Sequence, residues 1–130
     1  MDLISIAQEK DSKFGIRIRN HSFCSDMSVK DGGRDEAPSP AELLVSSLGA
    51  CIGMTINLYC TCHGYTSENI GLSMTYVLTD HPKRIKNITI DIALSEDFPQ
   101  DRRKAILNSI KSCVIYNSLS NDTEVDIDFE

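Results

Sequence analysis

The chain has 130 residues, of which 41% are hydrophobic and 25% are charged, and its formal net charge is −6. This composition is typical of a folded domain with a modest core and excludes a disordered chain. The negative charge and the lack of a Lys/Arg cluster argue against nucleic acid as a partner. The sequence therefore predicts one domain, residues 1–130, that binds no nucleic acid.

The first third of the chain predicts three β-strands. Apolar side chains alternate with others over 3–6 and over 14–19, which is typical of half-buried strands. Residues 21–28 are expected to return as a third strand. The following stretch, KDGGRDEAP (30–38), predicts a loop because Asp-Gly-Gly is a turn signal.

The segment PSPAELLVSSLGAC, residues 38–51, predicts the start of a long helix. Ser39 is a favourable N-cap, Pro40 fits the first helical position, and Glu42 can complete a capping box with Ser39. The helix is expected to end at His63, with Gly64 as the residue that follows its C-cap. A stripe with helical spacing runs along it, formed by Leu44, Leu48, Cys51, Thr55, Leu58 and Cys62.

This helix lies in a stretch, Leu43 to Ser67, that contains no Asp, Glu, Lys or Arg. Glycines and polar residues interrupt it, whereas a membrane span needs about 20 predominantly apolar residues. The prediction is therefore not a membrane span but a helix buried on nearly all sides within a soluble assembly. Gly49 and Gly53 lie four residues apart and predict a tight crossing with a second helix.

The second half predicts two strands, a helix and a last strand. Apolar residues alternate over 72–78 and over 88–94, and a helix from Pro99 is expected to continue to Asn117 with Ile106, Ile110 and Cys113 on its apolar face. Alternation in VDIDFE, residues 125–130, predicts the final strand. The element order βββ-α-ββ-α-β predicts an α+β fold with mostly antiparallel sheets.

The chain has five cysteines. An odd number without a recognisable secretory signal predicts free or catalytic thiols in a reducing compartment, hence a cytoplasmic protein. Cys51 and Cys113 lie on the apolar stripes of the two predicted helices, where either buried packing or a thiol pair is possible. Cys60, Cys62 and His63 are soft ligand types, but no second cluster has zinc-site spacing, so we expect packing and no metal site there.

The stretch PSPAELLVSSLGAC and the later segment CVIYNSL, which begins at Cys113, resemble the OsmC/Ohr family of osmotically inducible and organic-hydroperoxide-resistance proteins. The resemblance covers nearly the whole chain. It implies an OsmC-like intertwined homodimer with both long helices at its centre. It also implies a thiol peroxidase for organic hydroperoxides, with Cys51 as the peroxidatic and Cys113 as the resolving cysteine. The expected reductant is a dithiol of the lipoyl or thioredoxin type, and no cofactor is expected.

A cysteine that attacks a peroxide must be a thiolate, and Cys51 lies about three turns into its helix, where the helix dipole contributes little. An arginine with an acid to hold it is therefore expected, and Arg34 and Glu42 are the candidates. The family places its glutamate directly after the proline, where this chain has Ala41. The alternative is a non-catalytic protein of the same fold that binds a small apolar or electrophilic ligand near Cys51.

Overall fold

The computed structural model describes residues 2–130. The predicted α+β class with antiparallel sheets is confirmed. Contacts divide the chain into two compact units between Ser46 and Ser47, and each is described by itself. The elements are β1 (Ile4–Lys10), β2 (Lys13–Ile18), β3 (His21–Ser25), α1 (Pro40–His63), β4 (Gly71–Thr79), β5 (Arg84–Ala93), α2 (Arg103–Ile110) and α3 (Val114–Ser120).

The first unit contains an antiparallel sheet in the order β1-β2-β3. Ile16 in the central strand lies opposite Ile6 on one side and Phe23 on the other, so the predicted apolar alternation forms one face of the sheet. Strand β3 ends at Ser25 rather than at residue 28. The reason is Asp26, whose carboxylate accepts the N–H of the next residue and turns the chain into the loop.

The second unit contains the core. Strands β4 and β5 pair with Leu72 opposite Ile92 and Met74 opposite Ile90, as the alternation predicts. These side chains pack against a buried cluster contributed by α1, α2 and the segment before α2: Leu48, Ile52, Ile56, Tyr59, Cys60, Phe98, Ile106 and Ile110. Burial of this cluster supplies the main hydrophobic stabilisation of the unit.

Both ends of α1 are as predicted. The N–H of Ser39 donates to Glu42 Oε1 (2.9 Å), and the N–H of Glu42 donates to Ser39 Oγ (3.2 Å), which completes the capping box. Gly64 has a φ of 73°, and the N–H of Tyr65 donates to the carbonyl of Cys60 (2.9 Å). The helix therefore ends in a left-handed residue, a conformation that glycine adopts without strain.

The buried side of α1 differs from the predicted stripe. Ile52 and Ile56 are 2% and 0% exposed, whereas Leu58, on the predicted stripe, is 63% exposed. Because most of the helix is apolar or uncharged around its circumference, the pattern could predict a helix without identifying its buried face.

The close approach predicted at Gly49 and Gly53 is made by a strand and not by a second helix of this chain. Gly49 lies against the sulfur of Met74, and a Cβ at Gly53 would lie 3.6 Å from Leu72 Cδ1. Both neighbours belong to β4. The small residues thus let α1 lie close to the hairpin side chains.

The prediction of one continuous helix from Pro99 to Asn117 is wrong, because this segment forms two separate helices, α2 and α3. Ser112 Oγ donates to the carbonyl of Ser109 (2.6 Å), and the N–H of Cys113 donates to the carbonyl of Ile110 (2.9 Å). Each of these hydrogen bonds reaches back three residues, instead of the four of an α-helix, and so tightens the end of α2. Cys113 then adopts an extended conformation. The break gives Cys113 a different position from the mid-helix one that the spacing predicts.

The predicted last strand is also wrong. Residues 121–130 form no strand, and Val125, Ile127 and Phe129 are 75%, 79% and 99% exposed. Alternation describes a surface that fits a sheet, but a strand exists only where a neighbouring edge accepts its hydrogen bonds.

Helix α1 is long and apolar enough to cross a membrane by length and composition alone. One third of its most apolar window is buried in the structure. One such helix is weak evidence for a membrane protein, since the core helices of water-soluble proteins meet the same criterion.

Candidate functional site

The structure brings Cys51 and Cys113 together in a disulfide. Their Cα atoms are 6.3 Å apart, within the range of about 4.4–6.8 Å that a disulfide needs. The two cysteines are 62 residues apart in the sequence. Helix α1 carries Cys51, and the break between α2 and α3 carries Cys113, so the break in the predicted second helix is part of the site.

Cys113 is buried, with 3% of its surface exposed, and it is the N-cap residue of α3. Its sulfur accepts a hydrogen bond from the N–H of Tyr116 (3.5 Å), as a serine or aspartate oxygen does at an ordinary N-cap. A backbone N–H directed at sulfur favours the thiolate over the thiol. In the reduced protein, this donor would stabilise a negative charge on Cys113.

Cys51 lies in the interior of α1 and is partly exposed. Its carbonyl accepts the hydroxyl of Thr55 (2.9 Å). The backbone N–H groups at a helix interior are committed to helical hydrogen bonds, so they are not available to a sulfur. No charged residue lies between Leu43 and Ser67 in the sequence. A thiolate at Cys51 therefore needs a charge from outside this stretch.

Arg34, the predicted source of that charge, lies in the loop between β3 and α1. Its Nη2 is 3.2 Å from Asp11 Oδ2, and both side chains are more than half exposed. Surface ion pairs of this kind contribute roughly 0–1 kcal/mol, so the guanidinium is weakly held.

The Arg34 loop is organised by Asp26, which the sequence analysis missed. Asp26 is 2% exposed, and its carboxylate accepts the hydroxyl of Ser12 and the N–H groups of Met27, Arg34 and Glu36. These donors, with the Ser12 hydroxyl foremost, hold the pKa of Asp26 below its ordinary value. The signal was available, because an aspartate directly before a loop often binds the backbone that follows it.

Glu42, the predicted acid, serves the capping box. The N–H of Ser39 is the main cause that lowers the pKa of its carboxyl below the ordinary value, and the Ser39 hydroxyl adds to the effect. A carboxylate near the start of a helix is also favoured by the dipole. In the structure, Glu42 thus stabilises the first turn of α1.

The other three cysteines are free. Burial raises the pKa of the Cys60 thiol, while burial and a hydrogen bond from the thiol to Glu9 raise that of Cys24. Raised pKa values reduce the thiolate fraction at neutral pH, which makes both poor nucleophiles. Cys62 is exposed at the end of α1. Among residues 2–130, no group of three or more His, Cys, Asp or Glu side chains could hold a metal ion.

Tyr116 is the second residue that the sequence analysis missed. Its contribution is a backbone N–H, and no side-chain pattern reports such a group. The available signal was the polar pair Ser112-Cys113 between two apolar runs, which is compatible with a helix start.

The sequence profile of the family described as OsmC-like protein matches residues 33–128. No curated protein matches this chain. A crystal structure of a Psychrobacter arcticus 273-4 protein, named for osmotic stress induction and a detoxification response, is similar with a TM-score of 0.85 and 22% identity, over 91% of this chain and 88% of that one.

Two further crystal structures have the same fold. An OsmC-like protein from Mycoplasma pneumoniae has a TM-score of 0.81 and 18% identity, over 94% of this chain and 89% of its own. An organic hydroperoxide resistance protein OsmC from Legionella pneumophila has a TM-score of 0.67 and 15% identity, over 94% of this chain and 90% of its own. At these identities the likeness establishes the fold.

Proposed function

Because the chain belongs to the OsmC-like protein family, we propose that it is a thiol peroxidase that reduces organic hydroperoxides. The observation that carries this proposal is the disulfide between Cys51 and Cys113, the product that such a reaction leaves on the protein. The similar fold of the Legionella pneumophila protein named for organic hydroperoxide resistance supports the same substrate class.

The proposed reaction has two steps on the protein. The Cys51 thiolate attacks the terminal oxygen of the hydroperoxide, the O–O bond breaks, and the organic fragment leaves as an alcohol after it takes up a proton. Cys51 is then a sulfenic acid, and the Cys113 sulfur attacks it to form the disulfide and water. Two electrons from a dithiol of the lipoyl or thioredoxin type return the pair to thiols.

Thiolate formation at Cys51 is assigned to Arg34 in this proposal. The guanidinium is weakly held by Asp11, and the loop backbone around it is held by Asp26. A positive charge near a thiol lowers its pKa and raises its thiolate fraction. Glu42 remains the proposed acid that supports the arginine, in addition to its capping role.

We also propose a homodimer formed through the exposed side of α1. Met54 and Leu58 are 71% and 63% exposed on a helix whose interior lacks charged side chains, which is an unfavourable surface for an isolated chain. Light scattering should show a dimer at micromolar concentration, and Met54→Glu should weaken it. Val77→Glu, at a 56% exposed position on β4, is the control that should leave the dimer intact.

A cytoplasmic location and a single functional domain over residues 1–130 complete the proposal. Three of the five cysteines remain free thiols beside the disulfide, which fits a reducing compartment in which the disulfide is transient.

The test is peroxide consumption with a dithiol donor in excess. The wild-type protein should consume cumene hydroperoxide catalytically, and Cys51→Ser should reduce the rate to background. Cys62→Ser is the matched control, because Cys62 is also on α1 but is a free thiol. A Cys51→Ser variant that keeps the wild-type rate would refute the proposal.

The second candidate function is binding of a small apolar or electrophilic ligand near Cys51. The observations that favour it are Ala41 in place of the family's glutamate and the pairing of Arg34 with Asp11. Wild-type protein that fails to consume peroxide, although its Cys51 thiol reacts readily with electrophiles, would favour this function.

A further inference from the structure

We propose that the reductant attacks the sulfur of Cys51 in the oxidised pair and that Cys113 is the leaving thiolate, with the N–H of Tyr116 as its hydrogen-bond donor. The inference deepens the proposed function and rests on it for the identity of the reductant as a dithiol. It assigns a direction to the reductive half of the cycle.

Access to the two sulfurs favours attack at Cys51. Thiol–disulfide exchange requires the attacking sulfur to approach along the line of the S–S bond, from the side opposite the leaving sulfur. Cys113 is 3% exposed, so an attack on its sulfur would have to come through the protein interior. Cys51 is partly exposed in the single chain, and the dimer proposed above must leave its sulfur open on the side of α1 that it shares with Leu58. A peroxide must also reach the Cys51 sulfur to react, so the oxidative half of the cycle already requires this approach.

The stability of the leaving thiolate also favours attack at Cys51. Exchange is faster when the departing thiol has a lower pKa. The Tyr116 N–H lies 3.5 Å from the Cys113 sulfur and is already directed at it in the disulfide. A charge that develops on Cys113 therefore meets a donor without rearrangement, which is the condition for effective stabilisation of a transition state. At Cys51, the surrounding backbone N–H groups belong to the helix interior.

The electron balance is that of ordinary exchange. One thiolate of the dithiol forms a bond to the Cys51 sulfur, the Cys51–Cys113 bond breaks, and its electron pair stays on Cys113. The second thiol of the reductant then attacks its own sulfur in the mixed disulfide and releases Cys51 as a thiolate. The reductant becomes a disulfide, and both protein sulfurs take up the protons that the dithiol lost.

The test maps the mixed disulfide directly. In a variant with Cys24→Ser, Cys60→Ala and Cys62→Ser, the pair is oxidised with diamide rather than with peroxide and then exposed briefly to 2-mercaptoethanol. Acid quenching, maleimide labelling and peptide mass spectrometry locate the adduct. We expect at least about tenfold more adduct on Cys51 than on Cys113, with maleimide on Cys113. Adduct on Cys113, or equal adduct on both, would overturn the inference.

The role of the backbone donor is tested with two substitutions at one position. Tyr116→Pro removes the N–H, and we expect the disulfide to be reduced about fivefold more slowly, since one hydrogen bond to a sulfur with partly developed charge is lost. Tyr116→Phe keeps the N–H, and the disulfide of this variant should be reduced at the wild-type rate. An unchanged rate in a folded Tyr116→Pro protein would show that the Tyr116 N–H does not stabilise the leaving Cys113 thiolate. If that variant does not fold, the adduct map decides alone.

The two proposals fail in different ways. A protein that consumes no hydroperoxide but carries the adduct on Cys51 refutes the peroxidase and leaves the direction of exchange in place. A protein that consumes hydroperoxide but carries the adduct on Cys113 does the reverse. Diamide oxidation makes the two results independent.

Discussion

The surroundings of Cys51 and Cys113 are opposite in almost every respect. Cys113 is buried at the first turn of α3, where a backbone N–H points at its sulfur. Cys51 is partly exposed in the interior of α1. A helix can stabilise a thiolate only at its start, because its interior N–H groups are committed to carbonyls.

The two cysteines differ in where a thiolate would obtain its stabilisation. The backbone offers an N–H donor to the Cys113 sulfur, whereas a stabilising charge for Cys51 would have to come from a side chain outside its uncharged stretch. Substitutions of charged side chains should therefore act on Cys51 and leave Cys113 unaffected.

The largest effect is expected from Cys113→Ser. Without a resolving sulfur, steady-state peroxide consumption with a dithiol donor should fall by about a hundredfold. The first turnover should remain, because Cys51 alone attacks the peroxide, and its sulfenic acid should be trapped by dimedone. Stopped-flow measurement of one equivalent of peroxide separates the two rates. Loss of the first turnover as well would contradict the proposal that Cys51 alone attacks the peroxide.

If Arg34 activates Cys51 as proposed, Arg34→Ala should slow the alkylation of Cys51 at neutral pH by roughly tenfold, since removal of a positive charge that acts on a thiol can raise its pKa by about one unit. Alkylation of Cys113 in the same reduced protein should not change. Lys30→Ala is the control, because it removes a charge from the same loop. Equal effects of the two variants, or none, would show that Arg34 does not serve Cys51. Arg17→Ala and Arg19→Ala would then be the next variants.

Asp26→Asn should loosen the Arg34 loop, because an amide cannot accept all four donors that the carboxylate accepts. Trypsin should cleave after Lys30 and Arg34 roughly tenfold faster than in the wild-type protein. Cleavage at the wild-type rate would contradict the assigned role of Asp26. Faster cleavage with unchanged alkylation of Cys51 would instead separate loop order from thiol activation.

The same residue gives a pH dependence with a definite sign. The folded-state pKa of Asp26 is lowered by its donors, so its stabilisation is complete above the ordinary aspartate pKa of about 3.9 and is lost as the pH falls through the lower folded value. The free energy of unfolding of the wild-type protein, measured with urea, should decrease as the pH falls across that acidic range. In the Asp26→Asn variant, the free energy of unfolding should depend less steeply on pH. A pH dependence equal to that of the wild-type protein would contradict the role assigned to the Asp26 carboxylate.

The smallest effect is expected from Glu42→Gln. Glutamine keeps the reciprocal hydrogen bond of the capping box but removes the charge. If Glu42 supports the arginine, alkylation of Cys51 should slow by about threefold, while the unfolding temperature falls only slightly because the capping bonds remain and only the charge at the helix start is lost. Glu42→Ala removes both functions and should lower the unfolding temperature. Unchanged alkylation in Glu42→Gln would restrict Glu42 to its capping role.

The sequence predicted correctly those features that depend on hydrogen bonds between residues close in sequence or on the alternation of apolar side chains. The capping box at Ser39 and Glu42, the left-handed Gly64, and the pairing of Leu72 with Ile92 follow from short-range hydrogen bonding and alternation. The family resemblance predicted the pairing of Cys51 with Cys113, which spacing alone left open.

The remaining features depend on tertiary contacts that the pattern does not contain. The buried face of α1 could not be identified, since apolar side chains occur on several of its faces. The break before Cys113 depends on side-chain and backbone bonds of Ser112, and residues 125–129 alternate in polarity but pair with no strand among the described residues. The roles of Arg34 and Glu42 remain predictions.

The most direct test of the central claim is mass spectrometry of the reduced protein after treatment with one equivalent of an organic hydroperoxide. The account predicts one new disulfide, between Cys51 and Cys113, with Cys24, Cys60 and Cys62 still free thiols. Oxidation at Cys60 or Cys62, or a Cys51 thiol that survives excess hydroperoxide, would contradict it.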